Sequence, residues 1–374
     1  MIFHLNASTA PSRIVVRGTN WVGDTVMSLP AIKELRRIFP SSHISFWVPS
    51  GLASLVAATG VSDEILSFDL NSEGPYKRAL IMSKRLAAGR FEMAILLQNA
   101  FESAFTSWLA RIPERAGYPT DLRGPLLTIR VPLAKEIKLK HQVFYYLGIT
   151  DYLGKRFLGA YTRSEAPDCS VSLGKETLDG AKRLLAEAGI HGPFFCLCPG
   201  SVNSEAKRWP VESFAELADI LVDAFGGQVV FLGAPQEKVL VDRIIKSMKT
   251  RSTANIAGRA NMIHSMGIMR LSQLVISNDT GSAHMAVAAS AGVLTIFGPT
   301  SPGATAPYGP AAHIIQGKAH CAPCRHFGCP NPDHMCMKSI EPAVVLSKIR
   351  DILGGRGDEP RTRVASLESA ILSG

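Results

Sequence analysis

The chain has 374 residues, 46% of them hydrophobic and 19% charged. That composition excludes a largely disordered protein and supplies enough apolar mass for two domains. The 40 Lys and Arg against 31 Asp and Glu give a net +9 with no basic arm, which favours phosphorylated or membrane-bound anionic substrates over nucleic acid.

Residues 13–17 (RIVVR) read as a strand running into a glycine-bearing turn, and residues 25–39 as a helix ended by Pro40. Strands follow at 42–48 (SHISFWV) and 93–97 (MAILL). The second half repeats the rhythm: strand 193–198 with a Pro199-Gly200 turn, helix 210–225, strand 228–232, strand 274–277, a small-residue helix 281–291, strand 293–297 and a final helix 339–353. Alternating strands and helices of this kind predict an α/β protein with parallel sheets covered on both faces. The polar stretch near residue 170 divides an N-terminal Rossmann-like domain, 1–175, from a C-terminal one, 176–353. The tail, 354–374, reads as loose. Two such domains facing each other would place a cleft at the carboxyl ends of both sheets. The first ten residues show no secretory leader and no run of about 18 apolar residues occurs. The expected location is therefore cytoplasmic, against a membrane face.

Two strand-to-helix turns carry the chemistry. Gly18-Thr19-Asn20-Trp21-Val22-Gly23-Asp24-Thr25 has the spacing of a phosphate-cradling loop, but Asp24 stands where a phosphate-binding lysine belongs. A carboxylate there repels a triphosphate. Two readings stay open: Asp24 caps the helix, or it is a general base kept ionised by the helix N-terminus. The second turn, Ser277-Asn278-Asp279-Thr280-Gly281-Ser282-Ala283-His284, offers backbone N–H groups and hydroxyls at a helix start, suited to a diphosphate. Asp279 can accept from sugar hydroxyls and His284 can donate to an oxyanion. The alternative is a plain cap followed by a surface histidine. A third loop, from Ser201 to Lys207-Arg208-Trp209-Pro210, adds two cations able to hold phosphate, or else simply solvated.

Cys321, Cys324, Cys329 and Cys336 fall within residues 321–336, interspersed with His320, His326 and His334. They are loop cysteines or a structural zinc site, and they lie outside the two turns.

In order along the chain stand Trp21-Val22-Gly23-Asp24, Cys198-Pro199-Gly200-Ser201, Ala206-Lys207-Arg208-Trp209-Pro210, Asn278-Asp279-Thr280-Gly281 with His284, and Phe297-Gly298-Pro299-Thr300-Ser301-Pro302. Together they resemble the lipopolysaccharide heptosyltransferases of glycosyltransferase family 9, type II more than type I. The resemblance implies a GT-B fold and a metal-independent, inverting transfer with no required cofactor. It implies ADP-L-glycero-β-D-manno-heptose as donor and the first inner-core heptose, on Kdo2-lipid A, as acceptor. It makes Asp24 the base and assigns Ser201, Lys207, Arg208, Asp279, Thr280, Gly281 and His284 to the donor. Glu237 falls near the family's ribose contact and Arg123 near a basic acceptor-side position. Other readings are a different GT-B glycosyltransferase, a sugar-nucleotide epimerase, or a non-catalytic nucleotide-sugar-binding module. The missing G-x-G-x-x-G argues against an oxidoreductase.

Overall fold

A computed structural model of the chain describes residues 10–70, 74–163, 165–202, 204–324 and 326–354. The expected loose tail thus lies outside the described residues, save Gly354. The chain forms two compact units. The first runs through Ser172 and includes Gly303–Gly309. The second comprises Leu173–Pro302 and the chain from Pro310 onward.

The first unit is built on a six-stranded, wholly parallel sheet. Its strands are β1 (Arg13–Arg17), β2 (His43–Pro49), β3 (Glu64–Phe68), β4 (Met93–Leu96), β5 (Glu114–Gly117) and β6 (Ile129–Arg130), in the order β3-β2-β1-β4-β5-β6. The chain winds one way from β1 to β3, then reverses, so β1 and β4 flank the switch point at which open α/β sheets place their ligands. Its longer helices are α1 (Val22–Ile38), α2 (Pro75–Ala88), α3 (Phe101–Leu109) and α4 (Gln142–Leu158). Strands β1, β2 and β4 are apolar and almost wholly buried, as strands covered on both faces must be. The distant segment Gly303–Gly309 completes this unit. The Ala306 carbonyl meets His141 Nε2 at 2.8 Å, and the Tyr308 ring packs against His141 and Phe144.

The second unit repeats the architecture with β7 (Phe194–Cys198), β8 (Gln228–Phe231), β9 (Thr253–Asn255), β10 (Val275–Asn278), β11 (Val293–Phe297) and β12 (Ala312–Gln316). Their order is β12-β11-β10-β7-β8-β9, all parallel, so the switch point falls between β7 and β10. The helices are α5 (Lys175–Glu187), α6 (Val211–Phe225), α7 (Lys238–Ser247), α8 (Met262–Leu271), α9 (Gly281–Ala288) and α10 (Pro342–Gly354). Phe195, Phe214, Phe231, Trp209, Ile276 and Val345 belong to one continuous core beneath α6, α7 and α10. No helix among the described residues is long and apolar enough to cross a membrane.

Candidate active site

All three sequence-predicted loops emerge from switch-point strands: residues 18–25 from β1, 199–210 from β7 and 279–284 from β10.

In the first unit the turn after β1 is held from beneath. The buried Arg17 guanidinium lies 4.9 Å from the rings of both Trp47 and Phe68. It donates to the Gly18 carbonyl at 2.5 Å and to the Asn20 side chain at 2.5 Å. Burial pushes its pKa down to about 9. Gly18 passes so close to β2 that a Cβ there would lie 2.6 Å from Val48 Cγ1. The Thr19 and Thr25 hydroxyls meet at 2.7 Å, and Thr25 donates on to the Trp21 carbonyl.

Helix α1 starts at Val22 with Trp21 in the cap position, so Asp24 is not the cap but the third helical residue. Its Oδ1 accepts a hydrogen bond from the Tyr146 hydroxyl of α4 at 3.1 Å. The sequence suggests that a helix N-terminus keeps this carboxylate ionised. Burial outweighs that: it raises the Asp24 pKa above the usual carboxylate value, and the Tyr146 bond only partly pulls it back. The buried Tyr146 phenol is itself pushed far up, by desolvation and by Asp24 beside it. It therefore stays protonated and able to donate to Asp24.

Arg123, expected on the acceptor side, is fully enclosed. Its Nε donates to the Tyr118 carbonyl at 2.8 Å. Its two terminal nitrogens donate to the Gln98 carbonyl, to Ser103 Oγ at 3.2 Å and to Asn99 Oδ1 at 3.0 Å. Asn99 in turn donates to the Tyr145 hydroxyl at 2.7 Å, and the Tyr145 and Tyr146 rings meet edge to face at 5.8 Å. Arg123 thus ties the carboxyl ends of β4 and β5 to α3 and, through Asn99 and Tyr145, to the helix that carries Asp24's partner. A side chain with no solvent exposure cannot touch an acceptor here, so what it fixes is the position of Asn99.

In the second unit the predicted donor residues converge. Lys207 Nζ lies 2.6 Å from Asp279 Oδ2, with the lysine 28% and the aspartate 5% exposed. The Thr300 hydroxyl donates to the same carboxylate oxygen at 2.6 Å. Thr280 caps α9 through its extended backbone, Gly281 is the first helical residue, and His284 is buried in the first turn rather than lying on the surface. Arg208 spends its fork locally, donating to the Ser201 carbonyl at 2.9 Å and to Glu205 at 3.3 Å. Glu237 is buried, and its Oε2 accepts from the Ala234 N–H at 2.8 Å. Its carboxylate fills the space beside Gly200, where a Cβ would come within 1.9 Å of Oε1. Burial raises the Glu237 pKa, offset in part by the Ala234 bond and the Arg208 charge.

Asn278, Thr300 and Tyr146 are the residues that sequence reasoning left without roles. Asn278 accepts from the Trp209 N–H at 3.1 Å and donates to the Pro199 carbonyl at 2.7 Å, fastening both ends of the lysine loop to β10. Asn278 and Thr300 stand inside the motif strings, so their positions were visible although their bonds were not. Tyr146 lies in a helix without any motif.

The four cysteines and His320, His326 and His334 line one cavity of about 440 Å³. This segment lies outside the two turns, as the sequence suggested, but it touches the third loop and the stretch before Thr300. The Phe327 carbonyl accepts from Ala206 N at 3.1 Å, His334 Nε2 meets the Ala206 carbonyl at 2.7 Å, and Cys324 N donates to the Pro299 carbonyl at 2.9 Å. It buttresses the turns that present Lys207 and Thr300. Among the described residues, however, no three His, Cys, Asp or Glu side chains are grouped so as to hold a metal ion.

Two doubly wound parallel sheets, each presenting its motif-bearing loops at its switch point, are the architecture of the GT-B fold. Within it, the chain belongs to glycosyltransferase family 9 (heptosyltransferase), whose family model matches residues 79–334. The lipopolysaccharide heptosyltransferase 2 of Escherichia coli strain K12 is 25% identical over 358 residues, 91% of this chain and 98% of that protein. The solved structure of E. coli ADP-heptose LPS heptosyltransferase II superposes with a TM-score of 0.77 at 24% identity, covering 92% of this chain and 99% of that one. A family 9 glycosyltransferase from Veillonella parvula gives 0.81 at 21% identity, covering 93% and 99%.

Proposed function

We propose that this glycosyltransferase transfers L-glycero-D-manno-heptose from ADP-heptose to the first heptose of the lipopolysaccharide inner core, heptosyl-Kdo2-lipid A, with inversion. The observation that carries the reading is the Lys207–Asp279–Thr300 cluster at the N-terminus of α9, directly after a switch-point strand. It sets a cation, a sugar-binding carboxylate and free helix N–H groups side by side, as a nucleotide-diphosphate sugar requires.

Asp24 takes the proton from the acceptor hydroxyl, whose oxygen forms the new bond to the anomeric carbon as the bond to ADP breaks. The Tyr146 hydroxyl occupies one lobe of one carboxylate oxygen and so directs the remaining lone pairs toward the substrate. The departing ADP gains negative charge, which Lys207 and the Thr280-Gly281 end of α9 stabilise without a metal. Bound diphosphate competes with Asp279 for Lys207, and Asp279 is released to accept from heptose hydroxyls while Thr300 keeps it in place. Ser201 and Glu237 complete the nucleotide side, and the buried His284 stands one turn behind the diphosphate.

The acceptor is borne on a lipid, so the enzyme works in the cytoplasm against the anionic inner face of the membrane.

The test is a transfer assay with ADP-heptose and heptose-truncated core lipid, read by mass spectrometry with and without chelator. One added heptose at an unchanged rate in chelator is the expected result. ADP-heptose binding without transfer to any lipid-linked sugar would sink the enzymatic reading.

A further inference from the structure

Helix α3 is inside out. Its inward positions are Ser103, Ala104, Thr106 and Ser107, all buried, while Phe101 and Trp108 are exposed and Phe105 half-exposed. The three rings form a continuous stack along the outer face, with centroids 5.8 Å and 6.0 Å apart and ring planes within 19° and 24°. The hydroxyls of Ser103 and Ser107 donate to main-chain carbonyls of the same region, while the buried Thr106 hydroxyl has no hydrogen-bond partner among the described residues. The neighbouring helix α2 packs against α3 and exposes Tyr76, Leu80 and Ile81, Tyr76 to 81%. The Arg78 guanidinium clasps both oxygens of Glu102 at 3.0 Å, joining the two helices and neutralising the one acid on α3.

Charge follows the same patch. The chain has no basic block, yet residues 75–111 hold six Lys and Arg against two Asp and Glu, a net +4 of the chain's +9 in a tenth of its length. Lys77, Lys84, Arg85, Arg90 and Arg111 are exposed there.

We propose that the α2–α3 face of the first unit docks on an anionic lipid bilayer, with Phe101, Phe105, Trp108, Tyr76 and Leu80 entering the headgroup boundary and the surrounding cations pairing with lipid phosphates. Aromatic rings ringed by Lys and Arg match the two requirements of interfacial binding, apolar area and attraction to anionic lipid. The chemistry favours a bilayer over a protein partner because the apolar rings have cations on the neighbouring surface and almost no acids. The proposal rests on the reading above only in that a lipid-borne acceptor supplies its purpose.

The experiment uses the full chain with vesicles of phosphatidylcholine, alone or mixed with phosphatidylglycerol. Transfer to a delipidated soluble acceptor and melting temperature are measured in parallel. The protein is expected to sediment with the mixed vesicles, and Phe101→Ser/Trp108→Ser to lower the partition coefficient about tenfold with melting and soluble transfer unchanged. Brominated lipid should quench tryptophan emission in the parent and much less in Trp108→Phe, which keeps the ring packing. Equal binding of parent and double variant, equal binding to neutral vesicles, or a self-association that the same two substitutions abolish would each overturn the proposal. Vesicle binding that persists in a protein without transfer to the soluble acceptor would leave this surface standing and remove the heptosyl reading instead.

Discussion

Replacing Lys207 by Met separates two things the lysine does. In the structure its ammonium is the partner of a carboxylate that is only 5% exposed, and among the described residues Thr300 supplies the one other side-chain bond to that carboxylate. Removing one member of a fully buried pair costs about 3–5 kcal/mol. Lys207 is 28% exposed, so water can partly take its place, and a loss of about 2–3 kcal/mol is expected. For a unit of this size that is a fall of about 4–12 °C in melting temperature. Pairing the change with Asp279→Asn removes the stranded charge and should restore most of the stability. Transfer behaves differently. Losing a fixed cation at the leaving diphosphate should cost about 10²–10³-fold in kcat/KM, and the second substitution cannot return it. Thermal unfolding and steady-state transfer on the parent, both single variants and the double variant complete the cycle. A Lys207→Met protein that melts with the parent, or a double variant that regains transfer, refutes the assignment.

Asp24→Asn should lower kcat about 10²–10⁴-fold while leaving the protein no less stable at pH 8. The folded-state pKa of Asp24 is raised, so the folded state binds its proton more tightly, and stability is lost as pH rises through that value. The amide removes this penalty, and a lower melting temperature at pH 8 would contradict the argument. In the parent, the acid limb of the kcat/KM profile should lie above the ordinary carboxylate value, and Tyr146→Phe should move it higher still, because the phenol bond favours the ionised form. Gly200→Ala puts a Cβ against the Glu237 carboxylate and should cost about 1–3 kcal/mol in urea unfolding, relieved by adding Glu237→Ala. Arg123→Lys breaks the buried fork and should cost about 2–3 kcal/mol. A drop in acceptor affinity at unchanged stability would return Arg123 to the acceptor site.

The central strands were legible because they are apolar runs closed by glycine or proline: RIVVR, FFCLC and VLTIF lie within a residue of their observed bounds. The outer strands β3, β5, β6, β9 and β12 were not. They are two to five residues long and, as in ERAG and TAN, carry too little apolar pattern to be told from loop. Helix α1 begins three residues before its expected start, since Trp21, not a residue near Asp24, occupies the cap. At the site, residue types announced which side chains matter in the donor loops, because a strand-to-helix turn fixes their positions. They could not announce that Lys207 and Asp279 pair directly, that Arg123 is enclosed, or that Tyr146, 122 residues beyond Asp24, supplies its hydrogen bond. Those depend on tertiary packing, which no local spacing encodes.

The seven residues Gly303–Gly309 belong to the first unit yet are encoded after all but the last strand of the second. Synthesis order and assembly order therefore differ. On the ribosome the first sheet can form once β6 has emerged, but the ring of Tyr308 and the carbonyl that meets His141 arrive well over a hundred residues later. A fragment cut at residue 172 would keep every strand of its sheet and still be unfinished. Gene fusions, split versions and circular permutations of this chain should be planned around three crossings of the chain between its units instead of one.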